Sequence, residues 1–137
     1  MTDKIKTQDE LIPILNSLRK QVKKVVFTNG CFDILHVGHI RYLKEAKGYG
    51  DILIVAVNSD SSVKSIKGDK RPIVSQSERA EVVAGLEMVD YVTMFDEDTP
   101  YNLIKKLQPD VLIKGGDWTI DKIVGRDIVE ARGGKVI

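Results

Sequence analysis

Thr28-Asn29-Gly30-Cys31-Phe32-Asp33-Ile34-Leu35-His36-Val37-Gly38-His39-Ile40 follows the apolar run Val25-Val26-Phe27 and leads into a stretch with helical spacing. Val25 to Thr28 reads as a strand. From about Val37 to Lys47 the apolar positions Ile40, Leu43 and Ala46 fall on one helical face. Two histidines three apart, the only two in the chain, thus bracket a glycine where a strand gives way to a helix. Backbone N–H groups and the helix dipole favour anions at such a place. Gly30 is expected to allow unusual turn dihedrals, and Gly38 to let a phosphate or another backbone come close. Imidazole N–H groups can then donate to a phosphoryl oxygen as charge builds on it. Three other uses compete: a structural histidine at a helix start, half of a metal site, and a partner for a Cys31 thiol nucleophile. No third histidine or second cysteine completes a ligand set, so no metal site is expected. Cys31 reads more simply as a small, half-buried hydrophobe.

Outward from this stretch, short apolar runs alternate with helical patterns. Thr7 and Glu10 form a capping box before a face of Leu11, Ile14, Leu15, Leu18 and Val22, with Pro13 kinking that helix or delaying its start. Gly48 and Gly50 end the helix after the histidines. Ile52 to Val57 is then apolar without alternation, which suits a strand covered on both faces. A helix near Ser77 to Glu87 should bury Val82, Val83 and Leu86. Tyr91 to Phe95 follows as a strand, and Thr99-Pro100 starts a helix that runs through Leu107. Val111 to Lys114, a helix near Arg126 to Arg132 and a strand begun at Lys135 complete the series. Strands and helices in alternation predict an α/β fold with a mostly parallel five-stranded sheet. Helices should lie on both faces and the ligand at the carboxyl ends of the strands.

The chain has 137 residues, the size of one domain, and 1–137 is taken as a single unit with 1–23 as a helical lead-in. Apolar residues make up 42% and charged residues 30%, which excludes a disordered composition. Twenty-one Lys and Arg against twenty Asp and Glu leave a net charge of +1, too little to grip nucleic acid or an anionic membrane by bulk charge. No apolar run approaches eighteen residues, and the polar start Met1 to Lys6 lacks a signal-like core. A single cysteine fits a reducing compartment, so a soluble cytoplasmic protein is expected.

Gly30-Cys31-Phe32-Asp33-x-x-His36-x-Gly38-His39 resembles the signature of the HxGH nucleotidyltransferase superfamily, which includes the cytidylyltransferases and the adenylyltransferases of coenzyme synthesis. Further segments carry the likeness: Ala56-Val57-Asn58-Ser59-Asp60, Lys67-Gly68-x-x-Arg71-Pro72, Glu97-Asp98-Thr99-Pro100 and Lys114-Gly115-Gly116-Asp117-Trp118. Within the superfamily the pattern is most similar to the heptose-1-phosphate adenylyltransferases of ADP-heptose synthesis. The resemblance implies a Rossmann-like three-layer sandwich and transfer of AMP from ATP, with Mg²⁺, to a sugar 1-phosphate. His36, His39 and Lys67 are the implied catalytic residues. Asn29, Gly30, Cys31, Phe32, Asp33, Gly38, Gly115, Gly116 and Asp117 are implied to bind the nucleotide. Lys64, Arg71 and Arg79 lie in what reads as a basic loop after the second strand and are candidates for phosphate contacts. Asp33 would either orient a histidine or cap the following helix.

A homodimer is compatible with the family, and many relatives fuse this domain behind a sugar kinase. With no room for one here, the phosphorylated sugar is expected from elsewhere. Family domains also continue past the strand at Lys135 into a Ser/Thr-rich turn and a helix. The sequence stops at Ile137, so weakened triphosphate binding is expected. Glycerol-3-phosphate cytidylyltransferases are the nearest alternative, though they read Gly-Asp-Asp-Trp where Gly115-Gly116-Asp117-Trp118 stands, which leans toward adenine. A nucleotide-binding module without turnover is the other.

Overall fold

The computed structural model describes residues 2–114 and 123–137. Five strands form one sheet in the order β3-β2-β1-β4-β5. They are β1 (Val25–Gly30), β2 (Ile52–Asn58), β3 (Tyr91–Phe95), β4 (Val111–Leu112) and β5 (Lys135–Val136). Every pairing is parallel, from Val25↔Ile52 through Gly30↔Val57 on one side of β1 to Phe27↔Leu112 on the other. The expected "mostly parallel" sheet is therefore wholly parallel among the described residues. The chain winds outward from β1 through β2 to β3, then crosses back to β4. Beside β1 the winding reverses, and a crevice opens at the carboxyl ends of β1 and β4.

Side-chain alternation along the strands separates two cores. Val26, Leu53, Val55, Val57, Val92 and Val111 meet helix α2 (Val37–Lys47) through Leu43 and Ala46, and α4 (Gln76–Ala84) through Ala80 and Val83. Val25, Phe27, Ile54, Ala56, Phe95 and Leu112 meet α1 (Gln8–Lys20) through Leu11 and Leu15 on the opposite face. There α5 (Tyr101–Leu107) adds Leu103, Ile104 and Leu107, and α6 (Arg126–Ala131) adds Val129. Adjacent residues of one strand serve opposite cores, which is why β2 had to be apolar without alternation. The result is the expected three-layer α/β sandwich.

Four expectations are corrected. The stretch read as a basic loop begins with helix α3 (Asp60–Lys67), started by Ser59, whose hydroxyl accepts from Ser62 N, and anchored by buried Val63. Lys64 and Lys67 are thus helical. Val22 lies beyond the end of α1, 89% exposed with a φ of 58°, and belongs to no buried face. Val82 is likewise exposed, because the buried stripe of α4 runs through Arg79, Ala80, Val83 and Ala84. Of the two effects expected of Pro13, a kink or a delayed start, the delay does not occur, because α1 begins at Gln8 and carries Pro13 within it.

The capping box forms as the sequence predicts. Thr7 Oγ1 accepts from Glu10 N at 3.1 Å, and Glu10 Oε1 accepts from Thr7 N at 2.8 Å. Because α1 brings Leu11 and Leu15 to the core one turn later, Thr7→Ala is expected to lower stability by about 1 kcal/mol, read as a shift in the urea midpoint.

Candidate active site

The crevice at the carboxyl ends of β1 and β4 is a cleft of about 1080 Å³, larger than a single small ligand needs. Asn29, Gly30, Cys31, Phe32 and Asp33 line it from the end of β1, and His36, Gly38 and His39 from the start of α2. Lys67 and Arg71 line the side after β2, with Asp98, Thr99 and Pro100 beyond β3 and Lys114 after β4. Of the residues given site roles from the sequence, the structure therefore gathers ten around one cavity, namely Asn29 to Asp33, the two histidines, Gly38, Lys67 and Arg71. Gly115, Gly116 and Asp117 lie outside the described residues.

The histidines are built into the helix start itself. His36 is the N-cap of α2, and its Nδ1 accepts from Gly38 N at 3.0 Å. His39, three residues on, returns the favour: its Nδ1 accepts from His36 N at 3.1 Å. Together they make a capping box in which imidazoles replace the usual hydroxyl and carboxylate. A nitrogen that accepts from an amide carries no proton, so each neutral ring holds its proton on Nε2. The caps thereby set the tautomer and leave an N–H donor on each ring for a ligand. The two ring centres are 4.1 Å apart, and Phe32 meets His39 edge-on at 5.5 Å. His39 is held below its ordinary pKa of 6.5 by burial first, then by its neighbours His36 and Lys67.

The structure gives each glycine of the motif a steric cause, where an unusual dihedral had been expected at Gly30. Neither takes a positive φ. A Cβ on Gly38 would stand 2.7 Å from His36 Cε1 and 2.9 Å from its Nδ1, so the group that comes close to Gly38 is the capping imidazole. A Cβ on Gly30 would stand 2.9 Å from the Phe32 ring. The left-handed conformation in this turn falls on Phe32 itself, with a φ of 49°.

Arg79 is corrected from a phosphate contact to an internal tie. It is 1% exposed and does not line the cleft. Its Nη1 donates to the carbonyls of Cys31 (2.6 Å) and Asn58 (2.7 Å), its Nε to Val74 O (2.9 Å), and its Nη2 to Asp60 Oδ1 (2.8 Å). Asp33 neither orients a histidine nor caps α2, since His36 fills the cap. Its carboxylate instead accepts from Arg71 Nη1 and from the backbone of Ile73 and Val74. Burial alone would raise its pKa, but the N–H groups of Val74 and Ile73 and the Arg71 guanidinium outweigh that and hold it at about 2. Lys64 is exposed on α3 and does not line the cleft. Cys31 is half-buried, with its carbonyl engaged by Arg79.

Sequence reasoning missed Tyr42 and Asn58 as cleft residues. Tyr42 sits one helical turn after His39. Its hydroxyl meets that of Thr28 and donates to Ile113 O at 3.2 Å, while Thr28 Oγ1 donates to the same carbonyl at 2.9 Å. The end of β4, with Lys114 next to it, is thus tied to β1 and α2. Burial pushes the Lys114 ammonium down, against an opposite pull from Cys31.

A parallel sheet with Nε2–H donors at a helix start beside its winding reversal is a frame suited to the phosphates of a nucleotide. The family model of cytidylyltransferase-like proteins matches residues 27–136, and the chain belongs to that family of enzymes. Among its particular relatives, the Bifunctional protein HldE of Geobacter sulfurreducens is 54% identical over 133 residues, 97% of this chain. That of a Nitratiruptor species is 57% identical over 126 residues, 92% of this chain. Each alignment takes in 27% of the relative, so the chain spans about a quarter of the length of the curated proteins it matches. The crystal structure of a lipopolysaccharide core biosynthesis protein from Thermoplasma volcanium superposes with a TM-score of 0.70 at 30% identity, over 83% of this chain and 94% of that one. Pantoate-beta-alanine ligase from Francisella tularensis shares the fold at 19% identity and a TM-score of 0.65, over 97% of this chain and 65% of the ligase.

Two outcomes follow from the imidazole caps. Gly38→Ala should leave the circular dichroism spectrum native while displacing the His36 ring, and turnover should fall on the order of a hundredfold. His39, with its folded pKa below 6.5, binds its proton more readily in the unfolded chain. Stability should therefore fall as the pH drops from 6.5 to the folded pKa and level off below it. Thermal melts across that window would show the loss in the wild type and its reduction in His39→Gln.

Proposed function

We propose that the chain transfers AMP from ATP to a sugar 1-phosphate, with D-glycero-β-D-manno-heptose 1-phosphate as the acceptor, and releases pyrophosphate and ADP-heptose. The observation that carries this reading is the pair of Nε2–H donors fixed by Nδ1 caps at the start of α2. The likeness of the Lys67-to-Pro72 and Lys114-to-Trp118 segments to the heptose adenylyltransferases supports the acceptor. So do the relatives named HldE and the lipopolysaccharide core protein that shares the fold. Lipopolysaccharide synthesis in the cytoplasm is the setting this implies.

An oxygen of the sugar phosphate attacks the α-phosphorus of ATP, and the bond from that phosphorus to the bridging oxygen of the β-phosphate breaks. The attacking oxygen is already anionic, so no protein nucleophile and no strong base is needed. Catalysis reduces to positioning and charge stabilisation. His36 and His39 donate from Nε2 to oxygens of the α-phosphate as negative charge gathers there. The start of α2 lies beneath them and adds its dipole. Lys67, close enough to His39 to depress its pKa, offsets charge on the departing pyrophosphate. Arg71 and Lys114 face the same cavity and complete a cationic wall. Gly115, Gly116 and Asp117 keep the nucleotide-binding role that the resemblance implies.

Mg²⁺ would accompany the triphosphate, where it screens phosphate charge. Among the described residues no three His, Cys, Asp or Glu side chains cluster to hold a metal. Asp98 is the exposed carboxylate on the cleft wall, whereas that of Asp33 is already engaged. This donor set fits an ion bound mainly by phosphate oxygens and water, with Asp98 as its protein partner.

Pyrophosphate release tests the proposal, offering ATP or CTP with Mg²⁺ against heptose 1-phosphate or glycerol 3-phosphate. Release with ATP and the heptose phosphate is expected. Release with CTP and glycerol 3-phosphate would assign the cytidylyl reaction instead. ATP binding without release in any pairing would make the chain a binding module. In the productive pairing, His36→Ala and His39→Ala should each raise the barrier by about 2–4 kcal/mol, as for one lost oxyanion donor. Near-normal turnover in both folded variants would refute the role assigned to them.

A further inference from the structure

Asp33 lies in the loop between β1 and α2, its side chain only 6% exposed, yet all its hydrogen bonds run to one distant segment. Oδ1 accepts from Ile73 N and Val74 N at 2.9 Å each, and Oδ2 from Ile73 N at 3.0 Å and Arg71 Nη1 at 2.8 Å. That segment, between α3 and α4, contains neither helix nor strand. Besides the Arg71 N to Gly68 O contact at 3.2 Å and the Arg79 Nε to Val74 O bond at 2.9 Å, Asp33 supplies the backbone anchors that hold it over the cleft. The Arg71 side chain is 40% exposed and lines the cavity. The carboxylate takes its Nη1, while Nε and Nη2 have no protein acceptor among the described residues.

We infer that Asp33 is a positioning residue that holds Arg71 by one edge of its guanidinium, so that the other edge receives a phosphoryl group of a substrate. A long side chain left free would lose rotamer entropy on meeting its ligand, and one already pinned loses less. The planar fork then meets two phosphate oxygens at once, which a lysine cannot do. Ionised down to about pH 2, the carboxylate keeps this hold across the working range. The phosphoryl group belongs either to ATP or to the acceptor. The inference rests on the nucleotidyl-transfer reading above.

Asp33→Asn keeps an acceptor oxygen for the two amides and removes the charge that holds Arg71. In steady-state pyrophosphate release it should raise the KM of one substrate about tenfold, as for one weakened charged hydrogen bond, with a smaller effect on kcat. Whether the KM for ATP or for the sugar phosphate moves tells which phosphoryl group Arg71 holds. Arg71→Ala should raise the same KM at least as far, and Arg71→Lys should not rescue it. The double variant should be no worse than Arg71→Ala, because Asp33 acts through Arg71. Effects that multiply in the double variant would overturn the inference. So would unchanged KM values in an Asp33→Asn protein that melts like the wild type. If Asp33→Asn melts low, Arg71→Ala, at a half-buried side chain, still decides, and a native KM pattern there refutes the inference. Calorimetric titration with inorganic phosphate runs alongside. Should the wild type release no pyrophosphate, the transfer reading fails. Equal weakening of phosphate binding in Asp33→Asn and Arg71→Ala would still uphold the positioning role, and undiminished binding would end it.

Discussion

The buried guanidinium of Arg79 sets the terms for the whole cleft. Arginine cannot shed its proton, so a side chain at 1% exposure must be surrounded by acceptors or cost several kcal/mol. The acceptors come from the loop after β1 (Cys31), the junction of β2 with α3 (Asn58 and Asp60) and the segment before α4 (Val74). One rigid, planar group therefore fixes the spacing of three loops. The first of these carries the histidines, the second leads into the helix bearing Lys67, and the third follows Arg71. The wall of the cleft inherits its geometry from a cation that does not itself line it.

The sheet supplies the rest of the frame. With β1 at its centre and the winding reversed beside it, the loop after β1 faces an open crevice instead of a crossover helix. Thr28 and Tyr42 close the far side by converging on the carbonyl of Ile113, so β4 ends at a fixed height relative to α2. Positioning is thus shared between backbone carbonyls that attract polar side chains and strands too apolar to shift register.

Much of this was legible in the sequence, for identifiable reasons. The bounds of α2 and β3 fell where read, because glycines, apolar spacing and β-branched residues agree there. Helix α3 was missed because Asp60-Ser61-Ser62-Val63-Lys64-Ser65-Ile66-Lys67 buries only Ser62 and Val63, too few positions to display a period. Arg79 and Asp33 were recognised as polar residues near a site but assigned the wrong partners. Periodicity places a residue on an element, whereas all but one of their contacts cross between segments 19 to 48 positions apart. Gly30 was understood as conformational when its demand is steric, and the group that crowds Gly38 could not be named without knowing where the His36 ring lies.

The doubled use of the histidine rings couples two properties that most proteins keep separate. The same Nδ1 atoms that close the first turn of α2 also decide which ring nitrogen bears the proton. Fraying of that turn therefore randomises the tautomers, and a proton added at either Nδ1 frees the amide of Gly38 or His36. Solvent exchange at those two amides becomes a local reporter of imidazole chemistry, readable without any substrate. A change elsewhere that loosens the helix start would disable the donors even with both histidines in place.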